Sequence, residues 1–146
     1  MAAVRDVVAA TSLPLVLDAD ALHAVGADHR IGPLRPGIVV TPHDREFEIL
    51  SGARPGSDRI EATKRLAADL GAVVLLKGPT TVIADPDGNA LVTTSGDERL
   101  ATAGSGDVLT GIIAALLAQG VPPLHAATAG AYLHGAAAMT LSLIHI

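Results

Sequence analysis

Residues 99–120 read RLATAGSGDVLTGIIAALLAQG, and the predicted fold is built around them. Small residues fill the first part of this stretch, and an uncharged apolar run follows at residues 108–118. The pattern predicts a glycine-rich loop that leads into a buried helix. Because the first turn of a helix leaves its backbone N–H groups unpaired, this junction can bind a phosphate. Asp107 stands at the junction, either as a general base beside the phosphate or, equally well, as a helix cap.

The composition is that of one domain with an aliphatic core. The chain has 146 residues, of which 49% are hydrophobic and 1% aromatic, so Ala, Val, Leu and Ile must fill the interior. The formal net charge of -5 and the scarcity of aromatic residues argue against nucleic-acid binding. The chain contains no cysteine, which excludes disulfides and thiolate metal sites and is compatible with a location in the cytoplasm.

The C-terminal part of the sequence is apolar enough to raise the question of a membrane span. No Asp, Glu, Lys or Arg occurs in residues 108–146. The sequence GVPP at residues 120–123 divides this region into two segments, each short for a span, and the second contains histidines. We therefore predict no membrane association and two buried helices, the second at residues 123–141, that pack against each other.

Short apolar runs alternate with helical patterns along the rest of the chain. Leu15–Leu17, Ile38–Val40 and residues 72–76 are continuous apolar runs, as expected of strands in a parallel sheet covered on both faces. Residues 82–84 and 90–93 flank the turn sequence DPDGN and predict a hairpin at the edge of the sheet. The fold class is therefore α/β, with three layers and a mainly parallel sheet. Helices are predicted at residues 4–10, 21–25, from the turn that contains Glu46 to residue 50, and at residues 57–70 with Ile60 on the apolar face.

Polar side chains follow two of these strands. Asp18 and Asp20 come after the first strand, at the end where open α/β sheets bind ligands. Such a pair indicates a metal, a ribose or a proton-transfer role, although Asp20 fits better as the cap of the next helix. After the second strand, Thr41 as a cap and Glu46 in the first turn would stabilise a helix without any further function. His43 is a less ordinary choice for an exposed position at the end of a strand.

The third strand leads directly into Lys77, Gly78, Pro79, Thr80 and Thr81. A lysine at the end of an apolar strand, followed by glycine and hydroxyl residues, has the chemistry of a phosphate or nucleotide contact. The segment is not a Walker loop, because a strand rather than a helix follows it. We therefore expect the phosphate-binding helix to come from another part of the chain.

Five segments are most informative in combination: LVLDADAL, TPH followed by Glu46, LLKGPTT, ATAGSGDVLTGIIAALLAQG and AYLHGAAA. Together they resemble the ADP- or ATP-dependent NAD(P)H-hydrate dehydratase family, which has a ribokinase-like fold. Members of this family use a nucleotide and Mg²⁺ to phosphorylate the hydroxyl of hydrated NADH or NADPH and expel it as phosphate. The resemblance implies a lyase that repairs nicotinamide nucleotides, with ADP or ATP as co-substrate, Mg²⁺ as cofactor and a homotetrameric assembly.

The resemblance also implies roles for individual residues of the nucleotide site. Asp107 resembles the base that takes the proton from the substrate hydroxyl, and it also contacts the substrate. Gly104, Ser105 and Gly106 resemble the anion hole around the transferred phosphoryl group. Residues 77–81 resemble the lining of the adenine-nucleotide site.

Two further roles concern the segment after the second strand. His43 resembles a contact to the hydrated dinucleotide, and Glu46 resembles the acid that holds Mg²⁺ through water. The family usually has Pro-Gly between these two residues, whereas this chain has Asp44 and Arg45. The resemblance therefore leaves the approach of the backbone to the substrate open at this point.

The family's domain is longer than this chain. The resemblance implies that residues 1–146 are the C-terminal portion of one ribokinase-like domain, whose N-terminal half carries part of the substrate pocket, so we expect little turnover from these residues alone. Two other functions stay open. One is a small-molecule kinase of the same superfamily, acting on a sugar or a hydroxymethylpyrimidine, against which LVLDADAL and TPH argue. The other is a catalytically silent fragment that keeps a nucleotide-binding or assembly surface.

Overall fold

Five strands form one sheet in the order β1-β2-β3-β4-β5 in a computed structural model that describes residues 2–26, 33–95 and 104–144. β1, β2 and β3 run parallel, and β4 and β5 continue the sheet as an antiparallel hairpin. The sheet therefore confirms the predicted parallel strands with a hairpin at the edge. The strands are β1 (Leu15–Leu17), β2 (Ile38–Val40), β3 (Val73–Leu76), β4 (Thr81–Ala84) and β5 (Ala90–Thr93).

Six helices are present in the described residues. α4 begins at Arg59 rather than at residue 57, because the side chain of Asp58 accepts a hydrogen bond from the N–H of Glu61 at 3.0 Å. It ends at Gly71, which takes a left-handed conformation with φ of 62°. The helices are α1 (Ala2–Ala10), α2 (Asp20–Gly26), α3 (Asp44–Ser51), α4 (Arg59–Leu70), α5 (Ser105–Ala118) and α6 (Pro123–Ile144).

Side chains alternate along the strands between two cores, one on each face of the sheet. Ile38 and Val40 of β2 pack into the first core, and Val39 between them packs into the second. The first core also contains residues of α2, α3 and α4, and the second contains residues of α5 and α6. This arrangement confirms the predicted three layers. Representative members are Leu22, Phe47 and Leu66 in the first core and Leu109, Ile113 and Ala126 in the second.

The face of α4 differs from the prediction at one position. Ile60 is 45% exposed, whereas the buried positions of the helix begin at Thr63 and continue with Leu66 and Leu70. Ile60 lies in the first turn, before the part of the helix that packs on the sheet. The prediction that Ile60 belongs to the buried face is therefore wrong.

α5 and α6 pack against each other at very close range. A Cβ atom at Gly130 of α6 would lie 2.6 Å from Cγ1 of Ile113 on α5, so a side chain at this position would force the helices apart. This contact confirms that the last helix packs against the helix that begins near Asp107. Among the described residues, no helix is long and apolar enough to cross a membrane.

Candidate functional site

The carboxyl ends of the three parallel strands lie side by side and bring polar residues together. β1 ends before Asp18, β2 ends before Thr41, and β3 ends before Lys77. Backbone hydrogen bonds continue past the strand ends, from Thr41 N to Leu17 O at 3.1 Å and from Lys77 N to Pro42 O at 2.8 Å. This edge of the sheet is where open α/β folds bind their ligands.

Asp18 is the centre of a polar cluster at this edge. Its Oδ1 lies 2.8 Å from Nζ of Lys77, and its Oδ2 accepts a hydrogen bond from the hydroxyl of Thr110 on α5 at 3.3 Å. Burial raises the pKa of the Asp18 carboxyl, but the hydrogen bond and charge of Lys77 oppose this effect. Further hydrogen bonds from Thr41 and the Ala19 backbone leave the pKa below its ordinary value. Asp18 is therefore ionised at neutral pH and pairs with the ammonium group.

His43 and Glu46 form a capping box at the start of α3. Nδ1 of His43 accepts hydrogen bonds from the N–H groups of Arg45 and Glu46, both at 3.2 Å, and Oε2 of Glu46 accepts from the N–H of His43 at 2.8 Å. Nδ1 also lies 3.5 Å from Oε2 of Glu46, but an atom that accepts hydrogen bonds carries no proton, so this contact is not an ion pair. In the neutral ring the proton is therefore on Nε2. The expectation that Thr41 caps this helix is wrong, because the N-cap residue is His43, and Thr41 is buried with its hydroxyl 3.3 Å from the Leu17 carbonyl oxygen.

The donor atoms near Glu46 do not suit a metal ion. Within the described ranges, no three His, Cys, Asp or Glu side chains are grouped so that they could hold one. Glu46 is buried, its Oε2 is already bonded to the His43 N–H, and the ammonium of Lys77 lies 3.6 Å from the same oxygen. A positive charge at this distance disfavours a divalent cation there. Glu46 is therefore not suited to bind a metal ion directly, and the role that the family resemblance implies, holding Mg²⁺ through water, stays a prediction.

The KGPTT segment leaves the sheet as an exposed turn. Lys77 is partly buried, with 24% of its side chain exposed. Gly78, Pro79 and Thr80 are exposed, and Thr81 is the first residue of β4. The segment thus presents its backbone to solvent next to the Asp18 cluster.

Arg59, the first residue of α4, fixes the start of this turn. Its Nη2 donates to the carbonyl of Lys77 at 2.9 Å, and its Nη1 donates to Oδ1 of Asp44 at 2.7 Å. A Cβ atom at Gly78 would lie 2.6 Å from Nη2 of Arg59, so glycine is the residue that lets the guanidinium approach. Asp44, which stands where the family pattern usually has another residue, therefore holds the arginine that shapes the KGPTT turn.

The start of α5 agrees with the predicted junction of loop and helix. The helix begins at Ser105, with Gly104 as the N-cap residue in a left-handed conformation with φ of 87°. Asp107 is exposed in the first turn. It does not occupy the cap position, so the alternative that Asp107 caps the helix is wrong. Its negative charge still interacts favourably with the positive end of the helix dipole. Residues 99–103 of the predicted junction lie outside the described residues.

Gly106 faces the Asp18 cluster directly. A Cβ atom at this position would lie 3.2 Å from Oδ2 of Asp18 and 3.9 Å from Nζ of Lys77. Thr110, one turn further along α5, donates to the same Oδ2. The first turns of α5 are therefore anchored to the end of β1 through a single carboxylate.

His134 of α6 is bonded to the first turn of α5. Burial lowers the pKa of His134, and a hydrogen bond with the backbone of Ser105 offsets only part of this effect. A hydrogen bond that raises a histidine pKa is one that the ring donates, so the acceptor is the Ser105 carbonyl. The histidine of AYLHGAAA thus links the two helices in its neutral form.

The structure brings Gly106, Lys77 and Glu46 together around Asp18. Asp107 follows Gly106 in the same helical turn, and His43 is joined to the cluster through Glu46. The nucleotide segment and the glycine-rich junction, which the sequence predicts for one ligand, are therefore neighbours in space.

Three residues at the site were not singled out from the sequence: Arg59, Thr110 and His134. Thr110 had a usable signal, because it lies four residues after Gly106 and so on the same face of the helix. His134 lies in a segment that carries the family resemblance but offered no role of its own. Arg59 gave no signal, because its pattern is that of a charge on the solvated face of an amphipathic helix.

The sequence model of the NAD(P)H-hydrate dehydratase family matches residues 1–145. The chain is 50% identical to the ADP-dependent (S)-NAD(P)H-hydrate dehydratase of Neisseria meningitidis over 134 aligned residues. This alignment covers 88% of this chain and 45% of that protein. The chain is also 48% identical to the bifunctional NAD(P)H-hydrate repair enzyme of Moorella thermoacetica over 142 aligned residues. This alignment covers 92% of this chain and 26% of that protein.

Solved structures agree with these matches. The ADP/ATP-dependent NAD(P)H-hydrate dehydratase of Bacillus subtilis, co-crystallised with ATP/Mg²⁺, aligns with a TM-score of 0.83 at 38% identity, over 99% of this chain and 51% of that chain. A ribokinase-like superfamily protein of Enterococcus faecalis aligns with a TM-score of 0.81 at 29% identity, over 92% of this chain and 48% of that chain. The predicted ribokinase-like fold is confirmed, and the chain spans about half the length of the dehydratases that it matches.

Proposed function

This chain belongs to the NAD(P)H-hydrate dehydratase family, and from this premise we propose that the protein dehydrates hydrated NADH and NADPH with ADP or ATP as the phosphoryl donor. Residues 1–146 are, in this proposal, the C-terminal portion of a single ribokinase-like domain. The share of 45% that the chain covers in a relative named as a dehydratase supports this assignment. The product is the reduced coenzyme, so the activity is nucleotide repair.

The proposed reaction has two steps. Asp107 accepts the proton of the substrate hydroxyl, whose oxygen bonds to the terminal phosphorus of the nucleotide while the bond to the bridging oxygen breaks. ADP thus becomes AMP, and the hydrate becomes a phosphate ester. The C–O bond of the ester then breaks, phosphate leaves with the electron pair, and loss of a proton from the adjacent carbon restores the ring double bond.

The backbone at the start of α5 supplies the anion site of this proposal. The helix begins after the left-handed Gly104, and Gly106 carries no side chain that would cover the first turn. The backbone N–H groups at a helix start are fixed donors, and donors of this kind stabilise a transferred phosphoryl group. Residues 77–81 line the nucleotide, whose phosphates bind Mg²⁺. His43 offers Nε2–H to the hydrated dinucleotide, since its Nδ1 is used in the capping box.

One observation carries the proposal. The Cβ position of Gly106 lies 3.9 Å from Nζ of Lys77, so the glycine-rich helix start and the KGPTT segment meet at one point. A helix N-terminus beside a lysine and an exposed backbone turn is suited to a polyphosphate. Asp107 in the same turn adds a proton acceptor beside it.

We also propose that the protein acts as a homotetramer in the cytoplasm. Large apolar side chains are exposed on α6, where Tyr132 is 59%, Leu133 49% and Met139 51% exposed, and such side chains favour self-association. Light scattering after size-exclusion chromatography tests the assembly. A monodisperse monomer would contradict it.

The activity is tested by incubating the intact protein with hydrated NADPH, ADP and Mg²⁺. The absorbance of reduced nicotinamide returns only when the hydrate is dehydrated, so we expect it to rise together with the release of phosphate. Phosphorylation of a sugar or a hydroxymethylpyrimidine, without recovery of the absorbance, would identify a small-molecule kinase instead. Nucleotide binding without either reaction would identify a silent nucleotide-binding protein.

A further inference from the structure

We propose that Asp18 is a positioning residue of this site, whose carboxylate holds the Lys77 side chain and the first turns of α5 in the relative position that phosphoryl transfer requires. The inference rests on the proposed function, because it concerns the same nucleotide site. It assigns a task to the first aspartate of LVLDADAL, which the family resemblance left without a role.

The backbone next to Asp18 is held in a strained conformation. Ala19 has a φ of 48° and is, in the described ranges, the one non-glycine residue with a positive φ. L-residues avoid this region, so the conformation persists only where the surrounding structure imposes it, and such strain is common at functional sites. Here it turns the chain sharply between the end of β1 and the start of α2 at Asp20. The strained residue therefore directly follows Asp18, whose carboxylate is the centre of the cluster.

The two oxygens of Asp18 contact different elements of the fold. Oδ1 pairs with Nζ of Lys77 at 2.8 Å, at the end of β3, while Oδ2 accepts from Thr110 at 3.3 Å and faces Gly106. One carboxylate thus joins the nucleotide segment to the helix that carries Asp107. Since only 13% of the Asp18 side chain is exposed, water competes weakly for these contacts.

A second carboxylate near the ammonium does not replace Asp18. Oε2 of Glu46 lies 3.6 Å from Nζ of Lys77, which is longer than the Asp18 contact, and it also accepts the His43 N–H. Glu46 belongs to α3, and within the described residues no hydrogen bond joins its side chain to α5, whereas Asp18 is bonded to Thr110 of that helix. Asp18 is therefore the group that couples Lys77 to α5.

Asp18→Asn in the intact protein is the central test, because it keeps the shape of the side chain and removes its charge. We expect kcat for dehydration, at saturating ADP and hydrate and well below Tm, to fall by about tenfold or more, since small errors in position are costly in phosphoryl transfer. Asp69→Asn, the same change at an exposed position of α4, should leave kcat unchanged. A purely structural Asp18 would lower Tm and leave kcat at the wild-type value, which would overturn the inference.

A double-mutant cycle tests whether Asp18 acts through Lys77. If it does, Asp18→Asn combined with Lys77→Met should lose no more activity than Lys77→Met alone. Losses that add in full would show that the two residues act independently and would overturn the inference.

Thr110→Val provides a test if Asp18→Asn does not fold. It keeps the ion pair and removes only the contact to Oδ2, and we expect kcat to fall by about threefold, with Tm nearly unchanged. A wild-type kcat in this variant would contradict the coupling of Asp18 to α5.

The wild type, measured alongside, separates the two proposals. No ADP binding and no turnover by the wild type would refute the proposed function. Normal turnover in the wild type and in the variants would refute only the role of Asp18.

Discussion

Oδ2 of Asp18 lies 3.2 Å from the point where a side chain at Gly106 would place its Cβ atom. Such a separation is tighter than ordinary van der Waals contact, and Asp18 is held from its other side by Lys77. Gly106 is therefore needed for the close approach of the protein's own carboxylate, independently of the phosphate contact that we propose for it.

Gly106→Val should weaken ADP binding by about tenfold or more, because the new side chain displaces Asp18 and covers the backbone N–H groups of the first turn. Titration calorimetry with ADP measures this effect. Gly111→Ala is the matched control, since a Cβ atom at this exposed position of the same helix meets nothing within 4 Å. The control should bind ADP normally and gain about 0.8 kcal/mol from helix propensity. Normal ADP binding by Gly106→Val would contradict the assignment of the anion site.

Asp107→Asn should reduce kcat by a factor of about 100 or more while the Kd for ADP changes little, because the variant keeps its shape and loses only the base. The recovery of nicotinamide absorbance and ADP titration give the two quantities. Asp69→Asn controls for the loss of one negative charge. A kcat within about threefold of the wild type would show that Asp107 is not the base.

Arg59→Lys should raise the Kd for ADP by about tenfold, which corresponds to the loss of a charged hydrogen bond of about 1.4 kcal/mol. Lysine keeps the positive charge but cannot reach both Asp44 and the Lys77 carbonyl with one planar fork, so the KGPTT turn loses its support. Arg54→Lys is the matched control, because Arg54 forms an exposed pair with Glu48. Equal ADP affinity in both variants would show that Arg59 does not shape the nucleotide site.

Asp18 should contribute stability that disappears in acid. Its pKa in the folded protein lies below the ordinary value of 3.8, so the ionised form stabilises the fold above that pH, and the contribution is lost as the pH falls through the folded-state pKa. Urea unfolding at a series of pH values between about 5 and 3 should therefore show a shallower loss for Asp18→Asn than for the wild type. Parallel curves for the two proteins would mean that Asp18 has no such linkage.

Protonation of His134 should destabilise the protein, at a higher pH than the protonation of Asp18 does. Its folded-state pKa lies below the ordinary value of 6.5, so the unfolded chain binds the proton first, and stability falls as the pH drops from 6.5 through the folded-state pKa. His134→Gln should flatten this part of the stability profile. His125→Gln, at an exposed position of the same helix, is the control and should retain the wild-type slope.

Local pattern was sufficient for the strands and for the candidate segments. Leu15–Leu17 and Ile38–Val40 were predicted with their observed bounds, because continuous apolar runs are interrupted there by proline, glycine or polar residues. The turn at Gly88 and the helix end at Gly71 follow from glycine's access to left-handed conformations. These features depend on residues that are neighbours in the chain.

The contacts within the site could not be predicted in the same way. The Lys77 and Asp18 pair spans 59 residues and the Thr110 and Asp18 bond spans 92, so both exist only because the sheet and α5 are packed together. The left-handed conformation of Ala19 could not be predicted either, because alanine gives no sequence signal for that conformation. The sequence shows that His43 is an unusual choice for an exposed position, but its role as a helix cap depends on a ring orientation that the sequence does not specify.

The alternation of neighbouring strand residues between two cores has a consequence for how the protein opens. Val39 and Val40 share a peptide bond but lie on opposite faces, so neither helix layer can detach without exposing one side of the same strands. Amide protons of β2 and β3 should then exchange with solvent only through cooperative unfolding, at the slowest rates in the chain. α1, which has no buried residue, can fray alone and should exchange many times faster.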